Sequence, residues 1–210
     1  MTEAEAIRPS TRPESGVEAI AQAIVGGTAE PGLPHYARGL EDPSEGTATL
    51  AARVIEEVVR LRPDLGAPHI ERFARLLGSR HARVARACAA ALPEIARVAP
   101  AKVAKHVGAF RAAYDGASEA TREAMLRTWV ALCTASIAYQ ARLVDGIEHA
   151  LVDAPVKNLP TWAELALPAL KGEPYAQVRA VVERRLGELP RPIAQKLAER
   201  FNIRFRPTRP

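Results

Sequence analysis

Five histidines, two cysteines and two tryptophans are the residues best equipped for chemistry in this chain, and their spacing limits what that chemistry can be. His35, His69, His81, His106 and His149 occur singly. A metal centre needs several ligands converging on one point, and the one acid–imidazole dipeptide is Glu148-His149. Cys88 and Cys133 each sit inside an apolar helical pattern, 45 residues apart. That spacing makes neither a disulfide framework nor a zinc motif, so both are expected as buried, reduced thiols. No G-x-S-x-G elbow, Walker-type loop, G-x-G-x-x-G or C-x-x-C occurs. The reading expects no catalytic residue, no metal and no cofactor.

Arginine is the remaining candidate for recognition. Arg72, Arg75, Arg80, Arg83 and Arg86 form the densest basic group and straddle one turn. Guanidinium forks suit carboxylates and phosphates alike; the competing assignment is an exposed face with ion pairs to Glu71 and Glu94. Charge is unevenly distributed. Residues 1–50 hold three arginines against eight acidic residues, a balance of −5, so the remainder carries +10 within a total of +5. Such a surface attracts acidic protein, nucleic acid or anionic membrane.

The elements that position these groups are helices. Ala, Leu and Arg dominate, aromatics are 5% of the chain, and β-branched runs are scarce. Helices are expected at about 16–25, 33–41, 46–62, 67–78, 80–98, 100–114, 118–136, 138–153, 159–171, 174–188 and 191–202, with breaks at Pro63, Gly78, Pro100, Gly116, Pro155, Gly172 and Pro190. Leu50, Val54, Val58 and Leu61 make one apolar stripe; Val84, Cys88, Leu92 and Ile95 make another. Pro93 is expected to kink its helix. Residues 1–15 read as a flexible tail, 16–203 as one folded unit and 204–210 as a basic tail. The N-terminus lacks the basic and apolar regions of a secretory signal, and no apolar run approaches the roughly 20 residues of a membrane span. A cytoplasmic location without membrane partners is expected.

A repeat underlies the helices. Pro34-His35-Tyr36-Ala37-Arg38 and Pro68-His69-Ile70-Glu71-Arg72 lie 34 residues apart, each followed by a longer Ala/Val/Leu/Arg segment. Trp129 and Trp162, both after threonine and 33 residues apart, are placed at equivalent buried positions. A period of that size built from helix pairs points to an α-solenoid.

With Pro34, Pro68 and Pro100 opening first helices, and Ala52-Arg53, Ala82-Arg83, Thr121-Arg122 and Val178-Arg179 near the starts of second helices, residues 33–190 resemble the HEAT-repeat family. The resemblance implies a right-handed solenoid of four to five hairpins. It also implies turn acids, such as Asp115 and Glu173, that pair with Arg122 and Arg179. One irregularity is expected between about 138 and 172, because Val178-Arg179 reads as a second helix where counting pairs gives a first.

Solenoids of this kind are usually binding surfaces. The expected function is a non-enzymatic scaffold or adaptor that binds another protein on its concave face, with Arg53, Arg83, Arg86 and Arg122 as the binding groups. The alternative is nucleic-acid binding or excision of alkylated bases, because a HEAT-like DNA glycosylase family uses tryptophans, an aspartate and an arginine. Trp129, Trp162, Asp145 and Arg142 would supply those types here.

Overall fold

Three helices of 17 residues each set the frame: α3 (Glu45–Leu61), α6 (Ala82–Val98) and α9 (Glu119–Ala135), each starting 37 residues after the last. This is a computed structural model, and it describes residues 16–204. Of the tails expected at 1–15 and 204–210, all but Arg204 lie outside the described residues.

Local chemistry fixes the helix ends. The Ser44 and Ser118 hydroxyls accept from the Thr47 and Thr121 N–H groups at 3.5 and 3.3 Å, capping α3 and α9. Arg62 and Ala99 precede proline and leave the helical region at φ −141° and −138°, because the proline ring excludes that region for the residue before it. Ser136 holds the same register after α9, also extended, at φ −159°.

The long helices alternate with shorter ones: α1 (Gly16–Val25), α2 (Leu33–Gly39), α4 (Pro63–Gly66), α5 (Ile70–Arg75), α7 (Pro100–Ala104) and α8 (Val107–Tyr114). After α9 come α10 (Gln140–Asp153), α11 (Leu159–Ala166), α12 (Gly172–Arg185) and α13 (Arg191–Arg200). The described residues contain helices and turns and no strands. No described helix is long and apolar enough to cross a membrane. The expected helices all occur. Two first helices are divided: Pro68 lies in a 3-10 turn between α4 and α5, and His106 separates α7 from α8. Proline has no N–H to give and its ring crowds the preceding turn, which accounts for the first of these breaks. The expected kink at Pro93 does not interrupt α6, which runs as one helix to Val98 with Pro93 buried.

Helices α3, α6 and α9 pack side by side in chain order, α1 covers the outer flank of α3, and α11 packs on α9. One apolar core runs through them, from Ala21 to Ile203. Its register is 37 residues: Leu33, Ile70, Val107 and Val144 are equivalent and buried, as are Leu40, Leu77, Tyr114 and Leu151. This corrects the 34-residue spacing expected from the two Pro-His segments. Pro34 lies in the first turn of α2, whereas Pro68 interrupts a first helix. Trp162 is correspondingly not the mate of Trp129; that register pairs Trp129 with Leu92 and Ile55, and Trp162 with Met125. Helix α12 packs on α10, so it continues the row of first helices, and the reading of Val178-Arg179 as a second-helix start is overturned. The irregularity near 138–172 is one of length: α11 has 8 residues where its predecessors have 17.

Two contacts hold neighbouring units at close range. A side chain on Gly66 would meet Val59 and Ile95 at 2.8 and 2.9 Å, so only glycine lets α4 approach α3 and α6 this closely. Buried Gln140 donates to the Ala169 carbonyl and accepts from the Lys171 N–H, both at 2.9 Å, tying α10 to the turn before α12.

Candidate functional site

Between α8, α9 and α10 the register carries residue types found in no neighbouring unit. Tyr114 stands where the equivalents are Leu77 and Leu151, and Trp129 where they are Leu92 and Ile55. The two rings stack with centroids 5.5 Å apart. Each is 1% exposed, and neither the phenol hydroxyl nor the indole N–H has a hydrogen-bond partner among the described residues. Leaving such groups unpaired in a core costs about 1–3 kcal/mol each; this unit carries two of them, and the next carries one at the Trp162 indole. Both line a cavity of about 210 Å³, with Arg111, Asp115, Asp145 and His149 at its walls. Gly146 of α10 keeps the cavity open over the Trp129 ring.

Three polar side chains gather at the rim. His149 Nε2 lies 2.9 Å from Asp115 Oδ1 and 3.5 Å from Asp153 Oδ2. His149 and Asp153 are one helical turn apart on α10, which places them on the same face. Asp115 follows the end of α8 and Asp153 is the last residue of α10. A carboxylate at a helix C-terminus opposes the macrodipole, at about 0.3–1 kcal/mol each. Burial pushes the Tyr114 phenol well above its ordinary range; Arg122 opposes this, while Asp153 and Asp115 add to it.

The arginines divide into two groups. Arg122 and Arg179 were expected to pair with Asp115 and Glu173, but they bind backbone instead. Arg122 donates to the carbonyls of Tyr114 and Ala117 at 3.1 Å and of Asp115 at 2.5 Å, with its guanidinium 5.3 Å from the Tyr114 ring. Arg179 donates to the carbonyls of Phe201 and Asn202. Arg185 donates to those of Leu151, Val152 and Ala154 at 2.7–2.9 Å. A guanidinium can satisfy several orphan helix-end acceptors at once, which a turn carboxylate cannot.

The second group lies on the open face of the long helices. Arg53, Arg83 and Arg86 occupy positions that share this face, together with Arg60, Arg97 and Arg127. Arg122 does not: its register mates Ala48 and Ala85 are buried. Arg83 pairs with Glu56 of the preceding long helix. Arg60, Arg97 and Arg127 pair with Glu57, Glu94 and Glu123 within their own helices. Arg53 and Arg86 are exposed and make no ion pair among the described residues. In the dense cluster, Arg72 and Arg75 both bind Glu41 of the previous unit, at 2.9 and 2.6 Å, where Glu71 and Glu94 had been the expected partners.

Of the residues weighed for base excision, Trp129 and Asp145 share the cavity. Trp162 is buried elsewhere, and Arg142 contributes only its carbonyl, which accepts from Arg111. Cys88 and Cys133 are buried and free, as their apolar patterns indicate.

No family model and no curated protein matches this chain. It is similar in structure to an engineered protein whose crystal structure comes from the Northeast Structural Genomics Consortium. The TM-score is 0.67 and the identity 16%, over 88% of this chain and 85% of the other. At that identity the likeness is one of all-helical fold.

Proposed function

We infer that this chain is a right-handed, HEAT-like α-solenoid of four to five hairpins, acting as a non-enzymatic scaffold or adaptor that binds another protein. The binding surface is the row of second helices α3, α6 and α9. The observation that carries this reading is the shared open stripe of those helices, where Arg53, Arg83, Arg86, Arg97 and Arg127 alternate with Glu57, Glu94 and Glu123 and with the small residues Ala90 and Ala131. Small residues keep the surface low, and a row of equivalent helix faces suits an extended segment or a helix of a partner. Arg53 and Arg86 supply charge not neutralised within the fold, directed at carboxylates of that partner. Buried thiols without a disulfide suit a reducing, cytoplasmic setting.

Interleaved acids distinguish this reading from its rival, nucleic-acid binding on the same face. A phosphate backbone favours an unbroken basic track, whereas most arginines here are already held by carboxylates or carbonyls. The test is affinity capture with mass spectrometry, comparing the native chain with Arg53→Glu/Arg86→Glu. Partner proteins retained by the native chain and lost from the variant support the reading; equal retention by both rejects this face. Duplex DNA retained at low salt and released as salt rises would establish the rival instead.

A further inference from the structure

The geometry points to a binding site for a borderline divalent cation of the zinc type, formed by Asp115 Oδ1, His149 Nε2 and Asp153 Oδ2. It goes beyond the protein-binding reading and does not rest on it. Three donor atoms, two from α10 and one from the turn after α8, converge here, all within 4.8 Å of one another. A tetrahedral ion with bonds of about 2.0–2.1 Å holds its ligand atoms about 3.3 Å apart. The imidazole-to-carboxylate separations of 2.9 and 3.5 Å already bracket that value. One imidazole with two carboxylates is a mixed N/O set, which suits zinc, cobalt or manganese better than the all-oxygen shells of calcium or magnesium.

A His–Asp–Asp contact on a surface is often no more than an ion pair, and two further observations separate this one. The first is Tyr114, 1% exposed, which lines the cavity that Asp115 and His149 also wall, with its ring 5.5 Å from the His149 ring. Its buried hydroxyl has no partner among the described residues. A water on the fourth position of the ion would give that hydroxyl an acceptor, in the way outer-shell donors commonly support metal sites. The second is that the site is absent from the repeat. The register mates of Asp115, His149 and Asp153 in the preceding unit are Gly78, Ala112 and Gly116, and Tyr114 replaces leucine. Packing the repeat therefore does not require this set.

The carbonyls that end α8 and α10 are taken by Arg122 and Arg185, which leaves the side chains uncommitted to capping. Arg122 and Arg111 are the cations facing the cluster, Arg111 from the cavity wall. Their charge limits affinity, so dissociation constants in the micromolar range are expected, well short of a structural zinc finger.

The test titrates Zn²⁺ alone into the full chain by isothermal calorimetry, followed by Co²⁺ with its visible absorption as a geometric signature. The expected result is one saturable site, weakened roughly 10-fold or more by each of His149→Ala, Asp115→Asn and Asp153→Asn. Thermal stability should rise with Zn²⁺ in the native chain and not in those variants. Asp115 is 79% exposed, so Asp115→Asn leaves the fold intact and keeps the test decisive if His149→Ala does not fold. Absence of a saturable site, or binding unchanged in Asp115→Asn, overturns the assignment and leaves an ion-pair cluster only.

Discussion

Replacing Gly146 by alanine should stabilise this protein, and the sign of that effect tests the description of the cavity. Gly146 lies inside α10, where glycine is about 0.8–1.0 kcal/mol less favourable than alanine. The added methyl would meet Trp129 ring carbons at 3.4, 3.5 and 3.6 Å, which is ordinary van der Waals contact. Helix propensity and this contact act together, and the gain is expected at about 1 kcal/mol. For a domain of this size that raises Tm by about 2–4 °C. Urea unfolding followed by far-UV circular dichroism reads it as a higher midpoint at unchanged slope. A loss of about 0.5 kcal/mol or more would refute the reasoning. It would mean that the Trp129 ring cannot accept the methyl and that Gly146 is needed for packing, not merely open above a cavity.

Gln140→Leu removes two good hydrogen bonds and strands the Ala169 carbonyl; a loss of about 2–3 kcal/mol is expected in the same unfolding assay. Gly66→Val drives branched carbons into Val59 and Ile95 and should cost about 1–3 kcal/mol, read as a lower Tm. Burial pushes the thiols of Cys88 and Cys133 up to about 12, so neither should react with a thiol reagent near pH 8 until the chain is unfolded, when both label. Their folded values exceed the ordinary thiol value, so the stability they contribute is complete below about pH 8.5 and falls as pH climbs towards 12; alkaline unfolding curves check the sign.

Helix content and most helix ends were legible in the sequence, because proline and glycine punctuate this chain at nearly every hairpin. Register was not. The matched Pro-His segments suggested 34 residues, but proline can either open a helix or break one, and only packing distinguishes the two. The buried series Leu33, Ile70, Val107 and Val144 carries the 37-residue period, which the apolar positions follow and the prolines do not. The role of Arg122 is hidden for a related reason. Arginine at the start of a second helix looks alike whether it faces outwards or folds back, and the free carbonyls that claim it belong to the helix before. The cavity residues were individually conspicuous, yet His149 meets Asp115 across 34 positions of chain, a contact with no local trace.

The most direct test of the proposed interaction module is quantitative capture of bound proteins by the native chain, by Arg53→Glu/Arg86→Glu on the open face, and by Lys105→Glu/Arg142→Glu elsewhere. Partners should be lost from the first variant and kept by the second, with no duplex DNA recovered at low salt. Equal recovery on all three chains, or DNA recovered in place of protein, would contradict it.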